Sequence, residues 1–399
     1  KHADSVVIGE AEGVWLECLS DFEKGQMKPF YKQERPCEFK IVARPRWDLV
    51  DTSNVMALGV QASRGCPYSC EFCLVRNMFG QEQRYRDHDD LIDEIKSLPK
   101  RQITFVDDNL TANKPYAREL MRRLKPLKVS WMCQSSLDVF RDDDLLREMA
   151  APGCTSILLG IESLNPEGLK ETGKFQNRIE QYEEGIRRIH SHGIHVIGSF
   201  IVGFEADRID AFDHIFDFTM RNNISLIMLN VLTAYPGTDL YERMKNAGRV
   251  TDVDPDLLNG IYPTMQYRNI SQSEMFEKYF EVLEKMFSHE VVLEKALRVF
   301  GSGTFRKYND GDISRSDKFF SLMHLIWWYG LRGDRGGRRL FAELLLLVFK
   351  NSAGIGNVVE FLLLISSFNG YLEFTKAHRA EILEMIKKRD PGPVLQARQ

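Results

Sequence analysis

Between residues 51 and 250, short apolar runs alternate with longer stretches of helical periodicity. The apolar runs fall at Val55–Val60, Ile103–Val106, Val129–Cys133, Ser156–Gly160, His195–Val202 and Leu226–Leu232. Between and after them, Leu91–Leu98, Pro115–Leu124, Asp142–Ala150, Ile179–His190, Ile209–Arg221 and Asp239–Asn246 repeat apolar positions at helical spacing. Six strands separated by helices of this length predict βα units around a parallel sheet. Right-handed crossovers curl such a sheet, so the expected class is α/β with a partial or full (β/α)6-type parallel barrel. In barrels of this kind ligands sit at the C-terminal ends of the strands.

After residue 250 the alternation stops and helical periodicity continues alone. It runs through Ser273–Phe287, Glu290–Phe300, Asp317–Tyr329, Arg338–Phe349, Val358–Ser366 and Lys376–Lys387, with turns expected at Gly301–Gly303 and Gly330–Gly337. Residues 1–50 read as a lead-in with one strand, Val6–Ile8, and a Pro/Arg-rich linker from Arg35 to Trp47. The expected domains are therefore 1–50, a 51–250 core and a 251–399 helical C-terminal domain. No apolar run is long enough to span a membrane: Leu340–Phe349 and Val358–Phe368 come nearest and are broken by Glu343 and Glu360.

A net charge of −4 with 28% charged residues argues against a general nucleic-acid binder, which would carry a basic excess. Seven cysteines at irregular spacing, without a secretory leader, argue against a disulfide framework and for a reduced, cytoplasmic setting. The chain opens on Lys1 and runs straight into Ser5-Val-Val-Ile-Gly9, which reads as the middle of a domain.

Candidate chemistry concentrates in Arg64-Gly-Cys66-Pro-Tyr-Ser-Cys70-Glu-Phe-Cys73, directly after the first strand. Three closely spaced thiolates suit iron–sulfur or zinc. A zinc site wants a fourth ligand, for which His88 is nearest, and no second CxxC follows. Three thiolates leave one iron of a [4Fe–4S] cube open. Cys18, Cys37, Cys133 and Cys154 are isolated and read as small core residues. His190, His192 and His195 straddle a helix end and a strand start, and are not expected to converge on a metal.

This CxxxCxxC run, with an aromatic residue before its last cysteine, resembles the signature of the radical S-adenosylmethionine (SAM) superfamily. The resemblance implies that Cys66, Cys70 and Cys73 bind a [4Fe–4S] cluster and that SAM chelates the fourth iron. It also implies reductive cleavage of SAM to a 5′-deoxyadenosyl radical, with electrons from a donor such as flavodoxin or ferredoxin. Later segments resemble the family's SAM-contacting strand ends. They are Phe105-Val-Asp107-Asp108-Asn109, the third-strand Gln134, Gly160-Ile-Glu162-Ser163 and Gly198-Ser-Phe-Ile201-Val-Gly203. The resemblance thus implies Asp108, Asn109, Gln134, Glu162, Ser163, Gly198, Ile201 and Gly203 as SAM-binding residues. A carboxylate such as Glu162 on an apolar strand is costly to bury without a partner, and glycines weaken a strand unless another group comes close.

The chain is most similar to the subgroup that pairs a cobalamin-binding domain with the radical SAM barrel. Val6-Val-Ile-Gly9-Glu-Ala-Glu-Gly13 resembles the last strand and turn of that domain, and the helical tail resembles that of hopanoid-methylase-like members. A complete cobalamin domain is longer than residues 1–50, and the Asp-x-His-x-x-Gly signature is missing, so cobalamin binding by this chain stays open. The implied reaction is cobalamin-dependent methyl transfer to an unactivated carbon of an apolar, lipid-like small molecule. Contact of the tail with a membrane surface also stays open. The alternatives are a radical SAM rearrangement or cyclisation, and a non-catalytic iron–sulfur or zinc scaffold.

Overall fold

The computed structural model describes residues 3–39, 42–52, 55, 57–173, 177–258, 260–301, 323, 325–331, 335–351, 358, 361–362, 365 and 368–395. The chain begins with a small βαβ unit. Strand β1 (Val6–Ile8) pairs in parallel with β2 (Phe30–Lys32), and helix α1 (Trp15–Glu23) joins them. Of this unit, the sequence pattern had indicated β1 alone. Trp15, Leu16, Phe22 and Phe30 leave much of their apolar surface exposed.

The central sheet contains β3 (Leu58–Val60), β6 (Gln102–Phe105), β7 (Ser130–Ser135), β8 (Cys154–Glu162), β9 (His195–Val202) and β10 (Leu226–Val231). All are parallel, in the order β10-β9-β8-β7-β6-β3, so β3 and β10 form the two edges. This is the partial barrel that the alternation predicted. The first strand is shorter than Val55–Val60: Val55 lies before it, its N–H bonded to Thr52 O, and residue 56 lies outside the described residues. A second pair of strands, β4 (Ser63–Arg64) and β5 (Arg84–Tyr85), runs antiparallel and brackets the cysteine loop, which carries helix α2 (Val75–Phe79).

The crossover helices are α3 (His88–Ser97), α4 (Lys114–Leu124), α5 (Asp143–Ala150), α6 (Pro166–Thr172), α7 (Tyr182–Ser191), α8 (Ala211–Arg221) and α9 (Asp239–Asn246). Their starts follow local chemistry. Asn113, Asp142, Asn165 and Thr238 each accept a backbone N–H of the following first turn. Side chains alternate across each strand. On β9 and β10 the outward positions Val196, Phe200, Val202, Ile227, Leu229 and Val231 are buried in the main core. Of the positions between them, Ser199, Met228 and Asn230 look into the barrel and are partly or fully exposed.

The C-terminal helices are α10 (Gln272–Met286), α11 (His289–Gly301), α12 (Arg335–Asn351) and α13 (Asn369–Arg389), with a π-helical turn at Ile326–Leu331. The expected Gly330–Gly337 turn is helical at both ends. Gly330 lies in the π-helical turn, and Gly336 and Gly337 lie in the first turn of α12. Most of the expected helix Asp317–Tyr329 lies outside the described residues, and Val358–Ser366 is described only at Val358, Phe361, Leu362 and Ile365. Val292, Ala296, Phe300, Leu340 and Leu344 build a second core that includes Ile197 and Leu226 and packs against Met132 and Leu158. These four sheet residues are inward-facing, so the helical region covers the lower part of the inner face. Gln134 on β7 and Asn230 on β10 stay exposed on this face. No described helix is long and apolar enough to cross a membrane.

Candidate functional site

The cysteine loop is tied at both ends to the rim where the strands finish. After β3, Ala62 N–H and Ser63 Oγ donate to Asp107 at 3.0 and 2.6 Å. Gly65 N–H donates to Asp108 Oδ2 at 3.2 Å, and Gln83 Nε2 donates to Asn109 O at 2.8 Å. Three consecutive residues following β6 thus hold both entry and exit of the loop. On the far side, Glu71 receives a two-pronged contact from Arg243 of α9, at 2.6 and 2.9 Å. Leu240 N–H bonds to Glu71 O at 3.0 Å, and Asn77 Nδ2 donates to Gly237 O. The loop therefore bridges the open mouth between the β3 and β10 edges. Within it, Cys66, Cys70 and Cys73 are partly exposed and none is in a disulfide. A turn from Cys73 N–H to Cys70 O, 3.0 Å, brings the last two close in the backbone.

The residues expected to meet SAM fall mostly on this rim. Asn109 is buried. Its Nδ2 donates to Ser136 Oγ at 3.0 Å, and its Oδ1 has no partner among the described residues. Gln134 is exposed on the inner face of β7, and its carbonyl accepts Leu110 N–H at 3.1 Å. Glu162 is buried at the end of β8, just after a register shift against β9, with φ of 67°. A left-handed conformation is uncommon outside glycine and costs about 1–3 kcal/mol, so the surroundings must impose it. They do: Asn177 Nδ2 donates to the carbonyls of Gly160 and Ile161 at 3.0 and 3.2 Å, and Tyr182 Oη donates to Ile161 O at 3.2 Å. Ser163 Oγ accepts Asn165 N–H at 3.0 Å, which commits this hydroxyl to the turn into α6.

On β9, Ile201 faces inward, and Gly203 N–H donates to Asp207 Oδ2 at 2.9 Å. Gly198 is not brought to the rim with the others. It shares the outer face with Val196 and Phe200, and a Cβ there would lie 2.7 Å from the Phe200 ring. The close neighbour that explains this glycine is therefore a core ring. Of the three histidines, His192 pairs with Asp143 at 2.9 Å and His195 with Ser225 Oγ at 3.1 Å. Cys18, Cys37, Cys133 and Cys154 are all buried.

Sequence reasoning missed Asp107, Glu71, Arg243, Asn177, Tyr182 and Asp207 as positioning groups. Burial pushes the Asp107 carboxyl up to about 7, against the hydrogen bonds from Ser63 and Ala62. Burial likewise pushes Asp207 up to about 6, against the N–H groups of Gly203 and Phe204. A carboxyl whose folded pKa lies above its unfolded value takes up its proton first in the folded state, so stability is gained as pH falls through the folded pKa. For Asp107 the ionised form therefore costs stability above neutral pH. Urea unfolding from about pH 8 to about pH 5 is expected to show wild type gaining stability relative to Asp107→Asn. Parallel pH profiles would contradict this reading of Asp107.

The chain matches two families, the radical SAM superfamily over residues 60–219 and a domain of unknown function, DUF4070, over residues 238–382. It is 28% identical over 305 residues to bacteriochlorophyllide d C-12(1)-methyltransferase of Chlorobaculum tepidum, covering 74% of this chain and 66% of that protein. It is 26% identical over 345 residues to hopanoid C-2 methylase of Rhodopseudomonas palustris, covering 82% of this chain and 64% of that protein. The chain thus spans about two thirds of the length of these curated relatives. Among solved structures, apo cobalamin-dependent SAM radical enzyme OxsB shares the fold, with a TM-score of 0.53 at 15% identity over 94% of this chain and 66% of that one. The match over residues 60–219 gives this chain a radical SAM domain, which takes in the cysteine loop and most of the six-stranded parallel barrel, and a DUF4070 domain follows it.

Proposed function

We propose that the chain cleaves SAM reductively at a [4Fe–4S] cluster held by Cys66, Cys70 and Cys73, in the service of methyl transfer to an apolar small molecule. The observation that carries this reading is the cysteine loop itself, pinned by Asp107, Asp108 and Glu71 across the C-terminal rim of the sheet. The donor set fits the cluster: three soft thiols, partly exposed and free of disulfides, with no fourth protein thiol in the loop. When bound, the cluster supplies the electron that splits SAM into methionine and a 5′-deoxyadenosyl radical. The protein's own groups bind and orient SAM. The unpaired Asn109 Oδ1 and the exposed Gln134 offer polar contacts, Glu162 offers a buried carboxylate, and Ile201 offers an apolar wall.

The substrate would lie against the open part of the inner face, where Val106 after β6 and Met228 on β10 expose apolar surface. An apolar ligand suits that lining, and the curated relatives are named for a bacteriochlorophyllide and a hopanoid. Residues 1–50 would be the end of a cobalamin-binding-like domain. The parallel β1–α1–β2 unit has the connectivity of such a domain, and its exposed Trp15, Leu16 and Phe22 suit burial against further structure. Reducing electrons would come from a flavodoxin- or ferredoxin-like donor.

The test is anaerobic turnover with SAM, cobalamin, reductant and a panel of hopanoids and chlorophyllides. Product carrying one added methyl group, with 5′-deoxyadenosine and S-adenosylhomocysteine, is the expected outcome. Product of unchanged composition would replace methyl transfer by rearrangement.

A further inference from the structure

The turn after β1 carries Glu10 and Glu12, and both carboxylates reach the hairpin that brackets the cysteine loop. Glu10 is buried; it accepts from Arg84 Nη1 at 2.9 Å and from the Cys37 N–H at 2.6 Å, and it also pairs with Arg84 Nη2. Arg64 Nη1 lies 3.8 Å from Glu10, and Arg64 Nη2 lies 2.6 Å from Glu12. Arg64 and Arg84 stand opposite each other in the β4–β5 register, and Arg64 precedes Cys66 by two residues. Arg84 also donates to the carbonyls of Cys37 and Phe79, the latter being the last residue of α2 inside the loop. Although burial raises the Glu10 pKa, Arg84 and Cys37 hold its carboxyl down at about 2. Ligand atoms of Glu10, Glu12 and Cys37 lie within 4.8 Å of one another, a spacing a cation would accept, but the two guanidiniums already supply the positive charge there.

Buried ion pairs are a poor route to stability alone, and their best-attested use is to fix one arrangement against others. Here two carboxylates from one unit grip both strands of the hairpin that frames another unit's cysteines. In parallel βα units, moreover, the C-terminal edge of the strands is where ligands bind, and Glu10 and Glu12 lie on that edge of β1. We infer that Glu10 and Glu12 are positioning residues that seat the cysteine loop on the N-terminal unit, so that events at the C-terminal edge of β1 and β2 are felt at the cluster.

This inference rests on the proposed cluster, and its readout is electrochemical. Removing either carboxylate takes one negative charge from beside the two guanidiniums near the loop. Added positive charge favours the reduced, more negative cluster, so the midpoint potential should rise. The experiment is a redox titration by electron paramagnetic resonance of reconstituted wild type, Glu10→Gln, Glu12→Gln and the remote surface variant Glu294→Gln. At a fixed potential the ratio of reduced to oxidised cluster is expected to rise severalfold in Glu12→Gln and further in Glu10→Gln, with an altered spectrum. Glu294→Gln should match wild type. Glu10→Gln leaves the partly buried Arg84 without its main counter-charge, so Glu12→Gln, whose carboxylate is partly exposed, decides the matter if the first variant does not fold. Wild-type potential and spectrum in a folded, loaded Glu12→Gln would overturn the inference. A wild type that takes up no cluster would overturn the proposed function, and the inference with it.

Discussion

Gly65→Ala is expected to strip most of the cluster from the protein while leaving the barrel folded. Gly65 has φ of 88°, and a Cβ there would lie 2.6 Å from Glu82 O and 3.3 Å from Gly80 O. Both obstacles are backbone carbonyls of the returning limb of the loop, so no side-chain rotation relieves them. The left-handed backbone adds about 1–3 kcal/mol of its own. The loop must therefore shift, and the N–H that Gly65 donates to Asp108 and the adjacent Cys66 shift with it. Gly80→Ala is the matched control. It has a similar φ of 81°, but its nearest obstacle is the Pro36 ring at 3.8 Å. Gly80→Ala should lose some stability and keep its iron. Iron content and the cluster's visible absorption, measured on both variants after anaerobic reconstitution, check this. Equal iron in the two variants would mean that the Gly65 backbone does not set the position of Cys66.

The second large effect concerns Glu162. A left-handed backbone at a non-glycine residue is strained, and Glu162 holds it at the buried end of β8. Strain of this kind collects at functional sites, where relieving it trades activity for stability. Glu162→Gly is therefore expected to raise stability by about 1 kcal/mol, because glycine adopts that backbone freely. The same variant should lose SAM cleavage. Glu162→Gln, which keeps size and strain, should weaken SAM binding by about 10- to 100-fold, the value of a charge-assisted hydrogen bond. Calorimetry with SAM and thermal unfolding read the two effects separately. A Glu162→Gly variant that is stabilised and still cleaves SAM at the wild-type rate would remove Glu162 from the SAM site.

What the sequence made legible follows the range of the interactions involved. β9 and α9 were readable to the residue, as a long β-branched and aromatic run and as a Thr-capped helix after a Pro-Gly turn. Helix α6 was missed although its signals are local: Asn165 and Pro166 at its start and a left-handed Gly173 at its end. It has only 7 residues, too few to display a period. Helix α1 and β2 were missed although Trp15, Leu16, Leu19 and Phe22 recur at helical spacing in α1; those side chains remain exposed in the structure. In the site, the cysteines were legible because they lie within one short run. The groups that hold them were not: Asp107 bonds Ser63 across 44 positions, and Arg243 bonds Glu71 across 172. The outward direction of Gly198 could have been read from strand alternation, since Phe200 and Val202 share its face.

The most direct test of the central claim is anaerobic reconstitution with iron and sulfide, followed by counting iron and assaying 5′-deoxyadenosine formed from SAM and dithionite. Wild type is compared with the Cys66→Ala, Cys70→Ala, Cys73→Ala triple variant. The account predicts about four irons per chain and 5′-deoxyadenosine from wild type, and neither from the variant. Zinc in place of iron, or intact SAM beside a fully loaded cluster, would contradict it.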